Sequence, residues 1–350
     1  MEKRMDDNVE KNIESILGNF YANNNIRPEI YTDSIEDVYL NDKKYDIRIP
    51  FPVLKSKVEK WVEEFEPQDK EYFLKLLEQF TYLTQDALAY RINQLCDCLF
   101  SKLMTLGIEK SEVLFVVIES KSGIKSGADE MASVLWNVNR INELKKSQII
   151  TSFSKVEKEK IKNAGVIIFL DDILATGFTM RQQIDVFIER FGDVCDHTKL
   201  CYFTGVLATN SAINYVKRKM KTKAIKVEPF IQKEQLIRSA FKGDYIFGND
   251  IVKGVEHIIR KYEDIISSFN NEEDGIDFSM GFRQCKLLLA FHYETPNNTL
   301  CTFWKATDKN SPIFERSEYS RPSIDALKKQ KSHLAENAYL HKSINRGKGS

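Results

Sequence analysis

The chain has 350 residues, 42% apolar and 29% charged, with 51 Lys+Arg against 51 Asp+Glu and a formal net charge of zero. This is the composition of a soluble globular protein in one large or two smaller domains, and it excludes a chain-wide electrostatic trap for nucleic acid or membrane. No apolar run approaches the ~18 residues of a membrane span, the amino terminus MEKRMDDNVEKN lacks the apolar stretch of a secretory signal, and the six cysteines follow neither disulfide nor zinc spacing. A cytoplasmic protein with reduced thiols is expected.

Residues 1–45 are polar and Asn-rich (NFYANNNI) and read as a weakly structured lead-in with room for one short helix. A helical region is expected over 46–108. VLKSKVEKWVEEF stops at Pro67, and Gln68-Asp69 opens a stretch in which Phe73, Leu76, Leu77 and Phe80 recur at i, i+3, i+4 and i+7. A third helical stretch, from about Asp86 to Met104, ends at Gly107.

Over 109–268 the texture changes. EVLFVVIES and GVIIFLDD are short continuous apolar runs, the pattern of strands buried on both faces. SQIITSF, KLCYFTGVLAT and KAIKVEPF supply further strands, and ADEMASVLWNVNRI, KVEKEKIKN, TMRQQIDVFIERF and SAINYVKRKM read as helices between them. This alternation predicts an α/β fold, a mostly parallel sheet with flanking helices. A long helix over 250–268 closes this core. Residues 269–350 form a carboxyl-terminal extension: an acidic loop (NNEEDGID), a strand near KLLLAFH, the turn TPNNTL, and a tail with seven Lys/Arg against two acids from Arg321 onward. A solvated helix accounts for that tail more simply than a nucleic-acid patch does.

The segment LDDILATGFTMRQ (170–182) raises the functional question. Adjacent ionised carboxylates are rarely buried without a partner, yet Asp171 and Asp172 end a buried strand. In an open parallel sheet, ligands sit beyond the carboxyl ends of the strands. The turn that follows, Ala175-Thr176-Gly177-Phe178-Thr179, opens a helix whose first N–H groups and dipole favour an anion. Gly177 permits close backbone approach, and two Thr hydroxyls add donors. An anion cradle beside two carboxylates suits a phosphate and a vicinal diol together, as in a ribose 5-phosphate. The plainer alternative is a strand–turn–helix whose acids merely complement the dipole.

VIIFLDDILATGFTM resembles the phosphoribosyl pyrophosphate (PRPP) motif of type I phosphoribosyltransferases. The resemblance implies that Asp171 and Asp172 hold the ribose hydroxyls and that residues 175–179 bind the 5-phosphate. It also implies that Lys121, Ser122 and Gly123, after an earlier strand, contact the pyrophosphate with its Mg²⁺. The Mg²⁺ would meet Asp171 and Asp172 only indirectly, through the ligand. The reaction implied is substitution at ribose C1, with Asp171, Asp172 and Lys121 in catalytic roles. Ala175 stands where oxopurine enzymes carry an acid, which weakens that substrate class. With WVEEFEPQDKEYFLKLLEQFTYLT early, the PRPP motif centrally and HYETPNNTLCTFW late, most of the chain more loosely resembles the phosphoribosyltransferase-like proteins of bacterial conflict and antiphage defence systems, including retron effectors. That implies a toxin-like effector and a partner such as a reverse transcriptase with its nucleic acid. A non-catalytic PRPP or nucleotide sensor is the alternative, and base salvage ranks lower.

In the extension, His292, Asn297 and Asn298 are base-side candidates, because amides present donors and acceptors together. An ordinary Asx turn and a structural His are the plainer readings. Oligomerisation is left open by the sequence.

Overall fold

The computed structural model describes residues 7–26, 50–118, 127–139, 143–195, 199–221, 223, 225–243, 245–268 and 277–316. The chain begins with α1 (Asp7–Asn23), which buries Ile13, Ile16, Leu17, Phe20 and Tyr21, one face at helical spacing. The lead-in was expected to hold at most one short helix, and the helix found there is 17 residues long. The Asn-rich stretch is a joint rather than a flexible linker: Asn24 Nδ2 donates to the carbonyls of Phe20 and Phe80, and Asn24 Oδ1 accepts from the Tyr82 amide at 2.6 Å.

Helices α2 (Phe51–Val62) and α3 (Lys70–Glu78) follow on either side of Pro67, with Phe73, Leu76 and Leu77 buried as their spacing predicts. A short strand, β1 (Thr81–Leu83), escapes sequence detection because three residues give no period to read. Helix α4 (Gln85–Thr105) starts at Thr84, whose hydroxyl accepts from the Ala87 amide at 3.1 Å. It stops before Gly107, in the left-handed region at φ 72°.

The central sheet is built from β2 (Val113–Val117), β3 (Ile149–Ile150), β4 (Val166–Leu174), β5 (Leu200–Ala208) and β6 (Val227–Pro229). All pairings are parallel and the order is β3-β2-β4-β5-β6. Alternate residues serve two cores. Phe115, Val117, Ile168 and Leu170 face α4 and α5 (Gly127–Asn139). Val116, Ile167 and Phe169 face α7 (Phe178–Phe191) and α8 (Asn210–Met220). Both faces are covered, so the strands read as unbroken apolar runs. The short helix α6 (Lys158–Asn163) leads into β4. The strands expected at SQIITSF and KAIKVEPF shrink to two and three residues because they form the two edges, each paired on one side only.

From β2 the chain moves outward to β3, then returns to lay β4 on the other side of β2. This is a topological switch point, where a crevice opens at the strands' carboxyl ends. β4 ends there, carrying Asp171 and Asp172.

The carboxyl-terminal part is not a separate appendage. β7 (Leu289–Phe291) pairs in parallel with β1, and α9 (Val252–Ser268) packs beside it. Phe303 and Phe314 share one apolar core with Trp61, Phe73 and Phe80. The Trp61 indole N–H donates to the Thr302 carbonyl at 2.9 Å. The helical region before the sheet and the extension after it therefore bury each other. Among the described residues no helix is long and apolar enough to cross a membrane.

Candidate functional site

β4 stays buried from Val166 to Leu170, then turns half-exposed at Asp171, Asp172 and Ile173 before Leu174 is buried again. The strand thus runs through the acids instead of ending at them. The Leu174 carbonyl accepts from the Thr209 amide, and the Ala175 carbonyl accepts from the Thr209 hydroxyl at 2.7 Å. Thr209 also caps α8 by accepting from the Ala212 amide. One residue sequence reasoning overlooked therefore ties the start of the loop to the neighbouring helix.

Gly177 adopts φ 71° and forms the N-cap of α7 without a side-chain cap. The Phe178 amide donates to Thr176 Oγ1 at 3.2 Å, which folds the loop back on itself. A Cβ on Gly177 would stand 2.8 Å from both the Ala212 carbonyl oxygen and Val216 Cγ2. Both the backbone angle and the close approach demand glycine. Gly177→Ala is expected to cost about 1–3 kcal/mol and to push the loop out of its cradle. A lower melting temperature together with weakened binding of ribose 5-phosphate would show it; an unchanged affinity would mean that the loop tolerates the shift.

The two carboxylates differ. Asp171 Oδ1 accepts from the Asp172 amide at 3.0 Å, and Asp172 Oδ1 accepts from the Ile173 amide at 2.7 Å. Asp172 Oδ2 accepts from the Tyr293 hydroxyl at 2.6 Å. Enclosure, and then the neighbouring charge of Asp172, hold the Asp171 carboxyl well above the usual carboxylate range. Tyr293 holds its proton far beyond the ordinary phenol range, chiefly through burial. It stacks on Phe291 with ring centroids 5.2 Å apart, so the phenol is fixed in place. Tyr293 was not legible in the sequence: nothing in HYETPNN distinguishes this aromatic from a core residue.

A cavity of about 100 Å³ opens at this point. One side is formed by Asp171 and by Ala175, Thr176, Gly177 and Thr179 of the loop. Phe282, Asn297 and Asn298 line the same cavity from the extension. The structure thus brings two of the three expected base-side residues to the motif. Phe178 turns its ring to Arg283, whose guanidinium lies 4.1 Å from the ring centroid. His292 is elsewhere. Its side chain is 7% exposed, its Nε2 is 3.6 Å from Glu130 Oε1, and neither ring nitrogen makes a hydrogen bond to a described residue. It is not among the residues that line this cavity. Lys121, Ser122, Gly123 and the basic tail fall outside the described residues.

The wall facing the loop is held in an unusual backbone. Met280, Arg283, Gln284 and Lys286 all have φ between 53° and 59°, and Gly281 has φ 75°. Each such non-glycine residue costs on the order of 1 kcal/mol, and clusters of this kind mark functional sites. The segment is secured from several directions. Phe282 N–H donates to the Asn297 carbonyl at 2.7 Å, Leu287 N–H donates to the Asn298 carbonyl, and Lys286 Nζ pairs with Glu256 Oε1 at 2.6 Å.

No curated protein matches the chain. The family model PRTase-CE matches residues 58–316, which span β2 to β6, the acid pair, the loop and the wall from the extension. With most of its length under that one model and its sheet, switch point and motif arranged as described, the chain belongs to the PRTase-CE family and is a phosphoribosyltransferase-like protein.

Proposed function

We propose that the cavity binds the phosphorylated ribose of PRPP or of a nucleotide, and that the protein is a phosphoribosyl-transfer enzyme acting as an effector in antiphage defence. One observation carries the reading of the site: an anion-cradling loop and Asp171, the first carboxylate of the pair, line a single cavity at the sheet's switch point. The loop N–H groups and the hydroxyls of Thr176 and Thr179 hold the 5-phosphate. Asp171, facing the cavity, takes a ribose hydroxyl, while Asp172 is kept in place by Tyr293 and the Ile173 amide.

In the reaction, the bond from C1 to the pyrophosphate oxygen breaks and its electron pair leaves with pyrophosphate. A base nitrogen supplies the pair for the new bond at C1 and releases its proton. The acids stabilise the positive charge that develops on the ring, and positioning supplies most of the remaining acceleration. Lys121, with Ser122 and Gly123, is assigned to the leaving pyrophosphate. Among the described residues no cluster of three or more Asp, Glu, His or Cys side chains could hold a metal by itself. Two carboxylates beside a phosphate site suit a Mg²⁺ that arrives on the ligand's own oxygens, where it would neutralise charge on the leaving group.

The defence role, with a reverse transcriptase and its nucleic acid as partner, rests on the looser resemblance of most of the chain to conflict-system proteins. A second reading, a sensor that binds without turnover, is favoured by the engagement of both Asp172 oxygens, since a diol must compete with Tyr293 for Asp172. Pyrophosphate release from PRPP with Mg²⁺, alone and with a panel of bases and nucleotides, separates the two. Release that depends on an acceptor and disappears in the Asp171→Asn/Asp172→Asn double variant supports the enzyme. Binding in calorimetry without release supports the sensor, and neither binding nor release removes both readings.

A further inference from the structure

The two acids of the motif are not equivalent towards the cavity. Asp171 lines it, and Asp172 is not among the residues that do. We infer that the site holds one ring hydroxyl of a pentose phosphate, on Asp171, while the Tyr293 phenol withholds Asp172 from a second. The protein therefore takes 2-deoxyribose phosphates as readily as ribose phosphates. This rests on the proposed reading of the cavity as a phosphorylated-pentose site, and deepens it by naming the class of sugar.

The first observation is which acceptor is open. Among the described residues only the Asp172 amide donates to Asp171, through Oδ1. The Asp171 carboxylate therefore keeps acceptor capacity for a ligand hydroxyl inside the cavity. Asp172 is engaged at both oxygens, by the Ile173 amide at 2.7 Å and by the Tyr293 hydroxyl at 2.6 Å. A short O–H···O⁻ bond of this kind is charge-assisted and strong. A sugar hydroxyl that displaced the phenol would exchange one such bond for another and leave the phenol without its acceptor. The exchange gains nothing, so a second ring hydroxyl adds no affinity.

The second observation is that the phenol is held in place. Tyr293 packs against the core that contains Leu83, Leu289 and Phe291. Its ring stacks on Phe291 and meets His292 edge-on, with centroids 5.1 Å apart in the second pair. The His292 N–H donates to the Leu83 carbonyl at 2.8 Å, and the amides of Phe291 and Glu294 donate to each other's carbonyls. The turn that carries the phenol is thereby pinned to the paired strands β1 and β7.

The third observation decides which hydroxyl is held. The loop and Asp171 line one cavity of about 100 Å³, so the hydroxyl on Asp171 belongs to a carbon close to the phosphate. In a 5-phosphorylated pentose ring that carbon is C3, whose hydroxyl ribose and 2-deoxyribose share. The hydroxyl they do not share, on C2, would depend on Asp172.

The test is calorimetric titration of the full-length protein with ribose 5-phosphate and with 2-deoxyribose 5-phosphate. The two are expected to bind within about threefold of each other, and Asp171→Asn should weaken both alike. A site that used both carboxylates would favour ribose by about tenfold or more, the worth of a hydrogen bond to a charged group. Tyr293→Phe releases Asp172 Oδ2 for the C2 hydroxyl and should open a preference for ribose of about tenfold. A phenol with a merely structural role would weaken both sugars equally on removal and leave their ratio near one, which overturns the part assigned to Tyr293. Wild-type preference for ribose by tenfold or more, with both sugars lost in Asp171→Asn, overturns the inference and leaves the site reading intact; this arm needs no Tyr293 variant to fold. Failure of either sugar to bind, or binding of both that is indifferent to Asp171→Asn, removes the site reading and the inference with it.

Discussion

Glu263→Ala is expected to destabilise the protein by about 3–5 kcal/mol and to loosen the candidate site with it. Glu263 lies on α9 and is fully buried. Its Oε2 accepts from the amides of Met280 (2.9 Å) and Cys301 (2.8 Å), and its Oε1 accepts from the amide of Thr302 (2.9 Å). Those three amides bracket the segment that carries Phe282, Asn297 and Asn298. One carboxylate thus fastens both ends of the wall to a helix. Burial pushes the carboxyl up from its usual range, and the amide donors pull it back. Removing it relieves a buried charge but strands three buried N–H groups, each worth about 1–3 kcal/mol when unpaired. The unpaired donors outweigh the relief. Glu263→Gln keeps one acceptor but turns an N–H₂ towards amide donors, so its loss should be intermediate. Denaturant unfolding checks the ranking, and ribose 5-phosphate titration checks the coupling to the site. An Ala variant as stable as the wild type would show that water or rearranged backbone replaces the carboxylate.

How far all this could be read from sequence depends on what each residue answers to. The central strands were legible because burial on both faces forces an unbroken apolar run, and Val166 to Leu170 is one. The acid pair was legible because a carboxylate after such a run has few structural reasons to be there, and Gly177 because a glycine that opens a helix straight after a strand marks backbone in close approach or at positive φ. Asn24 and Glu263 were not. Each acts through hydrogen bonds to backbone 56 or 38 residues away, and no local pattern encodes a partner at that range. The wall is the sharpest case. FRQCK carries no signature of left-handed backbone, because Arg283, Gln284 and Lys286 hold that conformation only under tertiary constraint. The turn Thr295–Thr299 was flagged for its composition, but its place in the cavity follows from β7 pairing with β1, a contact across two hundred residues of chain.

Asp171→Asn should show opposite effects on binding and stability: affinity for ribose 5-phosphate falls by about a hundredfold, while the melting temperature at neutral pH rises. The amide keeps the bond that Asp171 Oδ1 accepts from the Asp172 N–H, so the strand end keeps its shape. What it removes is a charge beside a charge. Because the folded pKa of Asp171 lies above its unfolded value, the native state binds more protons than the unfolded chain between the two. Wild-type stability therefore has a component that is complete below about pH 4 and is lost as pH rises through the folded pKa. The Asn variant lacks that decline, and its advantage should vanish in acid. Tyr293→Phe acts on the other carboxylate and in the other direction. The phenol keeps its proton throughout this range and is the donor that satisfies Asp172 Oδ2, so its loss should lower stability at neutral pH by about 1–3 kcal/mol. Thermal melts of both variants from pH 4 to pH 8 decide the matter. Curves diverging from wild type in opposite senses as pH rises would establish that the pair is held together against its own repulsion for the sake of a ligand. Parallel curves would mean that Asp171 is ionised without penalty, and that the pair needs no ligand to explain it.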